Sequence, residues 1–202
     1  EWQVSRGGSV EPRVLEPLIS LTLCDSSNST FQSDIEVAKR KISSLVWLLS
    51  YPNVRVQFQS AWALANLAGT DEDSRLQIHD CGGTKTLFQW YDDMIPWVQT
   101  EALAALTNLT ISNEVSEDMV YKYNCIQFFM KLVTDPFTLK VKFASVALAN
   151  LAREEKFRPL IRKAGGIQCF IGCIMSHENA RRRYACAALA NLALSRDKEL
   201  EQ

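Results

Sequence analysis

The sequence predicts an all-α fold, a solenoid of stacked helical repeats, from three observations. The octets at 61–68, 103–110, 145–152 and 186–193 share one pattern, in which small and apolar residues surround an Asn-Leu pair. Their asparagines, Asn66, Asn108, Asn150 and Asn191, stand 42, 42 and 41 residues apart. A period near that length over most of a chain marks helical arrays whose units bury apolar surface mainly against their neighbours. Second, Gly82-Gly83 and Gly165-Gly166 break the apolar helical pattern, because glycine readily takes the φ values that a sharp interhelical turn needs. Third, apolar residues around the octets recur at helical spacing: Val141, Ala144, Leu148 and Leu151 fall on one helix face.

The elements follow in order. Residues 14–24 read as one apolar helix in an irregular N-terminal repeat at about 10–35, and the polar stretch 25–30 reads as a loop. Residues 41–49 have the pattern of a second helix, which feeds the Asn66 helix through the turn Ser50-Tyr51-Pro52-Asn53. The next unit reads as helices at 74–80, 84–91 and 96–110. The third unit reads as 119–124, 126–133 and 137–152, and the fourth as 156–164, 167–175 and 179–194. The chain is thus one array over 1–202, with regular repeats at about 36–69, 70–112, 113–153 and 154–195. Residues 196–202 resemble the start of a further first helix, and no polar capping face precedes them. The C-terminal edge is therefore expected to be covered by a partner, by symmetry or by further sequence.

Composition narrows the function. With 47% hydrophobic and 22% charged residues and a net charge of -1, the chain lacks the basic excess of a general nucleic-acid binder. No run reaches the roughly 18 apolar residues of a membrane span. The start at Glu1-Trp2 reads as that of an excised segment. Of the six cysteines (Cys24, Cys81, Cys125, Cys169, Cys173 and Cys186) only Cys169 and Cys173 are close, and no CxxC or nearby histidine completes a site. Buried reduced thiols, and hence a reducing compartment, are the expectation. His79 and His177 lack metal-ligand spacing, and Gly82-Gly83 lacks the Gly-Lys-Ser/Thr of a phosphate loop. No enzyme, cofactor or metal is expected. Asn28-Ser29-Thr30 and Asn108-Leu109-Thr110 are formal glycosylation sequons, read as coincidental.

The segment 54–68, Val-Arg-Val-Gln-Phe-Gln-Ser-Ala-Trp-Ala-Leu-Ala-Asn-Leu-Ala, closely resembles the third helix of an armadillo repeat. The glycine turns and the period extend that resemblance over roughly 36–195. It implies a right-handed α-α superhelix whose third helices line a concave groove, and a binding rather than an enzymatic role. The family includes nuclear-import adaptors, catenin-type adhesion and signalling proteins, vacuolar-membrane scaffolds and proteins made only of armadillo repeats. Import adaptors carry Trp and Asn four residues apart on successive third helices. This chain matches once, with Trp62 and Asn66, and has Ala104, Val146 and Ala187 at the other tryptophan positions. The resemblance therefore leans toward the scaffold members, with a receptor for basic localisation signals as the alternative.

Helical geometry places residues seven and eight before each asparagine on its face. Those rows read Gln59, Glu101, Phe143, Tyr184 and Phe58, Thr100, Lys142, Arg183. The N-terminal half is polar to acidic, and the C-terminal half aromatic and basic. The asparagine carboxamides can match the NH and CO of an extended peptide, or they can brace neighbouring backbone. Trp62 either faces the groove or packs between repeats. The expected function is a cytoplasmic scaffold, or one at the cytosolic face of an organelle. It would bind an extended segment of a partner protein at Asn66, Asn108, Asn150, Asn191, Trp62, Gln59, Glu101, Lys142, Phe143, Arg183 and Tyr184. Tethering of that partner to a membrane or motor is a further expected role.

Overall fold

A computed structural model describes residues 31–135, 138–175, 177 and 179–194. The expected helix at 14–24, the loop at 25–30 and the segment 196–202 lie outside the described residues. Every regular element among the described residues is helical. The first unit holds α1 (Phe31–Leu48) and α2 (Val54–Thr70). The second holds α3 (Glu72–Asp80), α4 (Gly83–Trp90), a 3-10 turn (Tyr91–Asp93) and α5 (Pro96–Leu109). The third holds α6 (Asn113–Tyr121), α7 (Cys125–Val133) and α8 (Thr138–Leu151). The fourth holds a 3-10 turn (Glu155–Phe157), α9 (Arg158–Lys163), α10 (Gly166–Ile174) and α11 (Asn179–Ala193).

The octet helices α2, α5, α8 and α11 stack in that order, each on the next, and one apolar core runs from Ile42 to Leu192. Alanines make that stacking possible. Ala63, Ala105, Ala147 and Ala188 are buried between helices, beside Leu64, Leu106 and Leu148, which are fully buried. Small side chains let helix axes approach, and leucines fill the remaining space. Several helix starts carry side-chain caps. Asn53 Oδ1 accepts from the Arg55 and Val56 amides at 3.0 and 3.3 Å, Asp71 Oδ1 from Ser74 at 2.7 Å, and Ser112 Oγ from Val115 at 3.3 Å.

Buried arginines tie each of two units to the one before. Arg75 Nη1 donates to the Ala68 carbonyl at 2.9 Å, and Arg158 Nε to the Ala152 carbonyl at 2.8 Å. Both carbonyls close an octet helix, where acceptors lack an intrahelical donor.

The first-to-second helix turn is built in two ways. Gly82 and Gly165 have φ of 79° and 85° in the second and fourth units. A Cβ on Gly83 or Gly166 would come within 2.7 or 2.6 Å of an isoleucine methyl, Ile78 Cγ2 or Ile161 Cγ2. In the third unit Asn124 takes the left-handed position, with φ of 51°. Asparagine tolerates that region better than other non-glycine residues. This corrects the expected helix at 119–124. The helix runs Asn113–Tyr121 because Ser112 caps it, and the chain turns before Asn124. Elsewhere α1 begins at Phe31 rather than near 41, α3 begins at Glu72 behind the Asp71 cap, and a 3-10 turn precedes α9.

Candidate functional site

The four asparagines lie in the last turns of the octet helices, and three of them reach backward across the stack. Asn108 Nδ2 donates to the Ala65 carbonyl at 2.9 Å and Asn191 Nδ2 to the Ala149 carbonyl at 2.9 Å. Asn150 Nδ2 donates to Thr110 Oγ1 at 3.1 Å. Ala65 and Ala149 each immediately precede an octet asparagine, so the contact repeats with the fold. Gly69 leaves room for the first brace, since a Cβ there would stand 3.2 Å from Asn108 Nδ2. Asn66 differs: it is exposed, and no octet helix precedes its own among the described residues. The carboxamide nitrogens of Asn108, Asn150 and Asn191 thus hold the stack, while Asn66 faces solvent.

Trp62 is 37% exposed, which puts part of its indole on the open face. Gln59 and Glu101 are half-buried beside it in the seven-before row. Burial pushes the Glu101 carboxyl above the usual range, because a carboxylate loses hydration there.

Two octets along, the chemistry reverses. The Lys142 ammonium lies 5.5 Å from the Phe143 ring centroid, and the Arg183 guanidinium lies 5.4 Å from that of Tyr184. A cation over an aromatic face is attracted by the ring quadrupole and keeps its charge available to solvent. The neighbouring octet approaches the backbone under the first of these pairs: Thr107 Oγ1 donates its single proton to the Leu103 carbonyl of its own helix at 2.7 Å and lies 3.2 Å from the Phe143 carbonyl. Lys140, by contrast, serves the stack: its ammonium bonds Gln99 Oε1 at 2.8 Å and pairs with Asp135 at 3.8 Å.

One further row escaped the sequence reading. Trp97 lies eleven residues before Asn108, three helical turns away and so on the same face. Its counterparts are Arg55 and Leu139. Trp97 is 61% and Leu139 53% exposed. Asn53, Val54, Arg55, Phe58 and Trp97 line an open, mainly apolar recess of about 550 Å³ between α2 and α5. Extending the rows back by one more turn is the signal that finds it.

His79, which lacks metal-ligand spacing in the sequence, joins two units. Its Nε2 lies 3.0 Å from Asp118 Oδ2 and its Nδ1 3.1 Å from Thr84 Oγ1. The order hydroxyl, imidazole, carboxylate is that of a hydrolytic triad, but Thr84 is fully buried and no substrate carbonyl can reach its oxygen. Lys122, hydrogen-bonded at 2.5 Å, and then His79 hold the Asp118 carboxyl below its usual range. Lys156 continues this outer ladder to Glu117 at 2.6 Å.

Among the described cysteines, Cys125 and Cys173 are buried, Cys81 and Cys169 are half-buried, and Cys186 is exposed, against the expectation of uniform burial. Burial, with Cys173 beside it, pushes the Cys169 thiol up to about 11, so this pair is not a thiolate site. Among the described residues no His, Cys, Asp and Glu group could hold a metal ion, and no helix is long and apolar enough to cross a membrane.

Comparison with known proteins agrees with this geometry. The model of the armadillo/beta-catenin-like repeat matches residues 42–69. No curated protein matches the chain. Among solved structures, an engineered protein is similar at 27% identity and a TM-score of 0.72, over 79% of this chain and 65% of its own. The chain therefore spans a little under two-thirds of that protein. A designed armadillo repeat protein is similar at 23% identity and a TM-score of 0.70, covering 89% of this chain and 82% of its own. Another, solved in complex with the peptide (KR)4, is similar at 21% identity and a TM-score of 0.70 over 89% and 82%. The fold is that of an armadillo-repeat solenoid, a right-handed α-α superhelix, and the armadillo family is the one that the matched repeat and these structures support.

Proposed function

We propose that this chain is a non-enzymatic scaffold that takes an extended segment of a partner protein along its octet helices, with acidic residues of that segment meeting Lys142 and Arg183. The observation that carries this reading is the repeated cation-on-ring pair. Lys142 with Phe143 and Arg183 with Tyr184 occur at the same two positions of successive octet helices. The aromatics supply apolar area and the cations supply steering. The free face of Trp62 and the exposed Asn66 extend the surface at its other end. Peptide binding by designed proteins of this fold supports a peptide ligand in general terms. The free cysteines fit a reducing, cytoplasmic setting, and any tethering to a membrane or motor would run through the bound partner.

Charge reversal tests the reading. Lys142→Glu with Arg183→Glu should weaken an acidic peptide by about tenfold or more, and should slow its association with a flatter dependence on salt. A basic peptide should bind the reversed surface better than wild type. If neither peptide responds in stopped-flow binding, the working surface lies elsewhere.

A further inference from the structure

We infer that the recess between α2 and α5 holds an aromatic side chain of that same acidic segment, placed about six residues from the acidic residues that meet Lys142 and Arg183. The inference rests on the groove reading above and adds an anchor and a spacing to it. Three observations carry it. First, the recess has a volume of about 550 Å³, with Val54, Phe58 and Trp97 as its apolar walls, which is room for a large ring. Second, Val54 is 42% and Trp97 61% exposed. With Phe58 they make one contiguous apolar lining rather than singly scattered exposed residues. Third, Phe58 belongs to the same row as Lys142 and Arg183, so one extended chain can run from the recess to both cations. Arg55, exposed at the mouth, is offset by Glu101, one turn from Trp97 on α5, so the recess takes the apolar anchor of the segment and its acidic residues lie further along, at Lys142 and Arg183.

The spacing follows from geometry. The recess lies between the first and second octet helices, and the cationic pairs lie on the third and fourth. Their midpoints are two helix steps apart, and packed helices lie about 10 Å apart. The separation is therefore roughly 20 Å, or about six residues of extended chain at ~3.3 Å each.

The test uses the full chain and three fluorescently labelled peptides of about twelve residues. One carries paired Glu with Phe about six positions away. The second has Ala for Phe, and the third has the Phe moved to about two positions from the Glu pair. Anisotropy should show the first binding about tenfold tighter than the other two. Trp97→Ala, at an exposed position, should remove that advantage and leave the Ala peptide unchanged. Val54→Asp should act in the same direction through a different wall. Equal affinity of the Phe and Ala peptides, or a Trp97→Ala loss shared equally by both, overturns the anchor. The charge-reversed variant keeps the two readings apart. If it abolishes Ala-peptide binding while Phe adds nothing, the groove reading stands and the anchor fails. If the Phe peptide stays sensitive to Trp97→Ala but not to charge reversal, the anchor stands and the groove reading fails. Binding by none of the peptides overturns both.

Discussion

The two halves of the open face are built on the same kind of helix and differ in charge most clearly at two positions. In the C-terminal half these are Lys142 with Phe143 and Arg183 with Tyr184, each a cation on a ring. In the N-terminal half the same positions hold Phe58 with Gln59 and Thr100 with Glu101. Behind both halves the stack is one: buried alanines, buried leucines and asparagine amides donating to the preceding octet. The comparison separates the part of each octet helix that makes the fold from the part that makes the surface. Buried residues occur at both ends of each octet helix, Val56, Val98 and Val141 in the first turns and Leu64, Leu106 and Leu148 in the last, so the division runs by helix face rather than by turn.

That division can be broken at its strongest point first. Leu148 is fully buried in the octet of α8, and Leu148→Ala should cost about 2–5 kcal/mol by chemical denaturation. An unchanged midpoint would contradict the stacking register. Next in size, Asn108→Ala combined with Asn150→Ala removes two inter-octet hydrogen bonds. At about 0.5–1.5 kcal/mol each, the pair should lower the melting temperature, while acidic-peptide affinity measured well below that temperature holds. Sequence alone left these side chains between ligand contact and bracing. A double variant with wild-type stability and weakened binding would return them to the ligand.

The smallest effect concerns the outer ladder, far from both halves of the open face. Lys122 and His79 depress the Asp118 carboxyl in the folded state. The unfolded chain then holds more protons between the folded and unfolded values, so stability rises with pH across that window. The contribution is present above the ordinary aspartate range near ~3.9, and is lost as acidification passes down through the folded value. Asp118→Asn should therefore flatten the loss of melting temperature on acidification and leave peptide binding untouched. A variant with the wild-type acid slope would remove this pair from the stability account.

The fold was legible because its signal is repeated. Any single octet is a generic alanine-rich helix, but four at near-constant spacing leave few alternatives. Boundaries were harder where one residue type stands in for another. Asn124 replaces a turn glycine, so the helix before it was read too late, and the Asp71 cap places the start of α3 two residues earlier than its apolar pattern suggests. The site was legible only in part. Residues Lys142, Phe143, Arg183 and Tyr184 fall where the helical rows put them. The asparagine amides could not be assigned from sequence, because a carboxamide suits a ligand backbone and a neighbouring helix equally well; the structure adds the 2.9 Å bonds from Asn108 and Asn191 Nδ2 to the Ala65 and Ala149 carbonyls, and the double variant above tests the ligand role. Trp97 was overlooked because the rows were followed back two turns rather than three. His79 and Asp118 are 39 residues apart, a separation at which sequence carries no contact signal without the stack.

If two positions per octet helix choose the ligand, they should be transferable, and this is the most direct test. Thr100→Lys with Glu101→Phe would give α5 the pair found on α8 and α11, at half-buried positions whose counterpart Phe143 packs against the edge of the core. Titration calorimetry with an acidic peptide long enough to span three octets should then show about three- to tenfold tighter binding than wild type, the order expected for one added charge contact with apolar support. The melting temperature should stay near that of wild type. Unchanged or weaker acidic-peptide binding by a variant that folds normally would contradict the claim that these two positions write the surface.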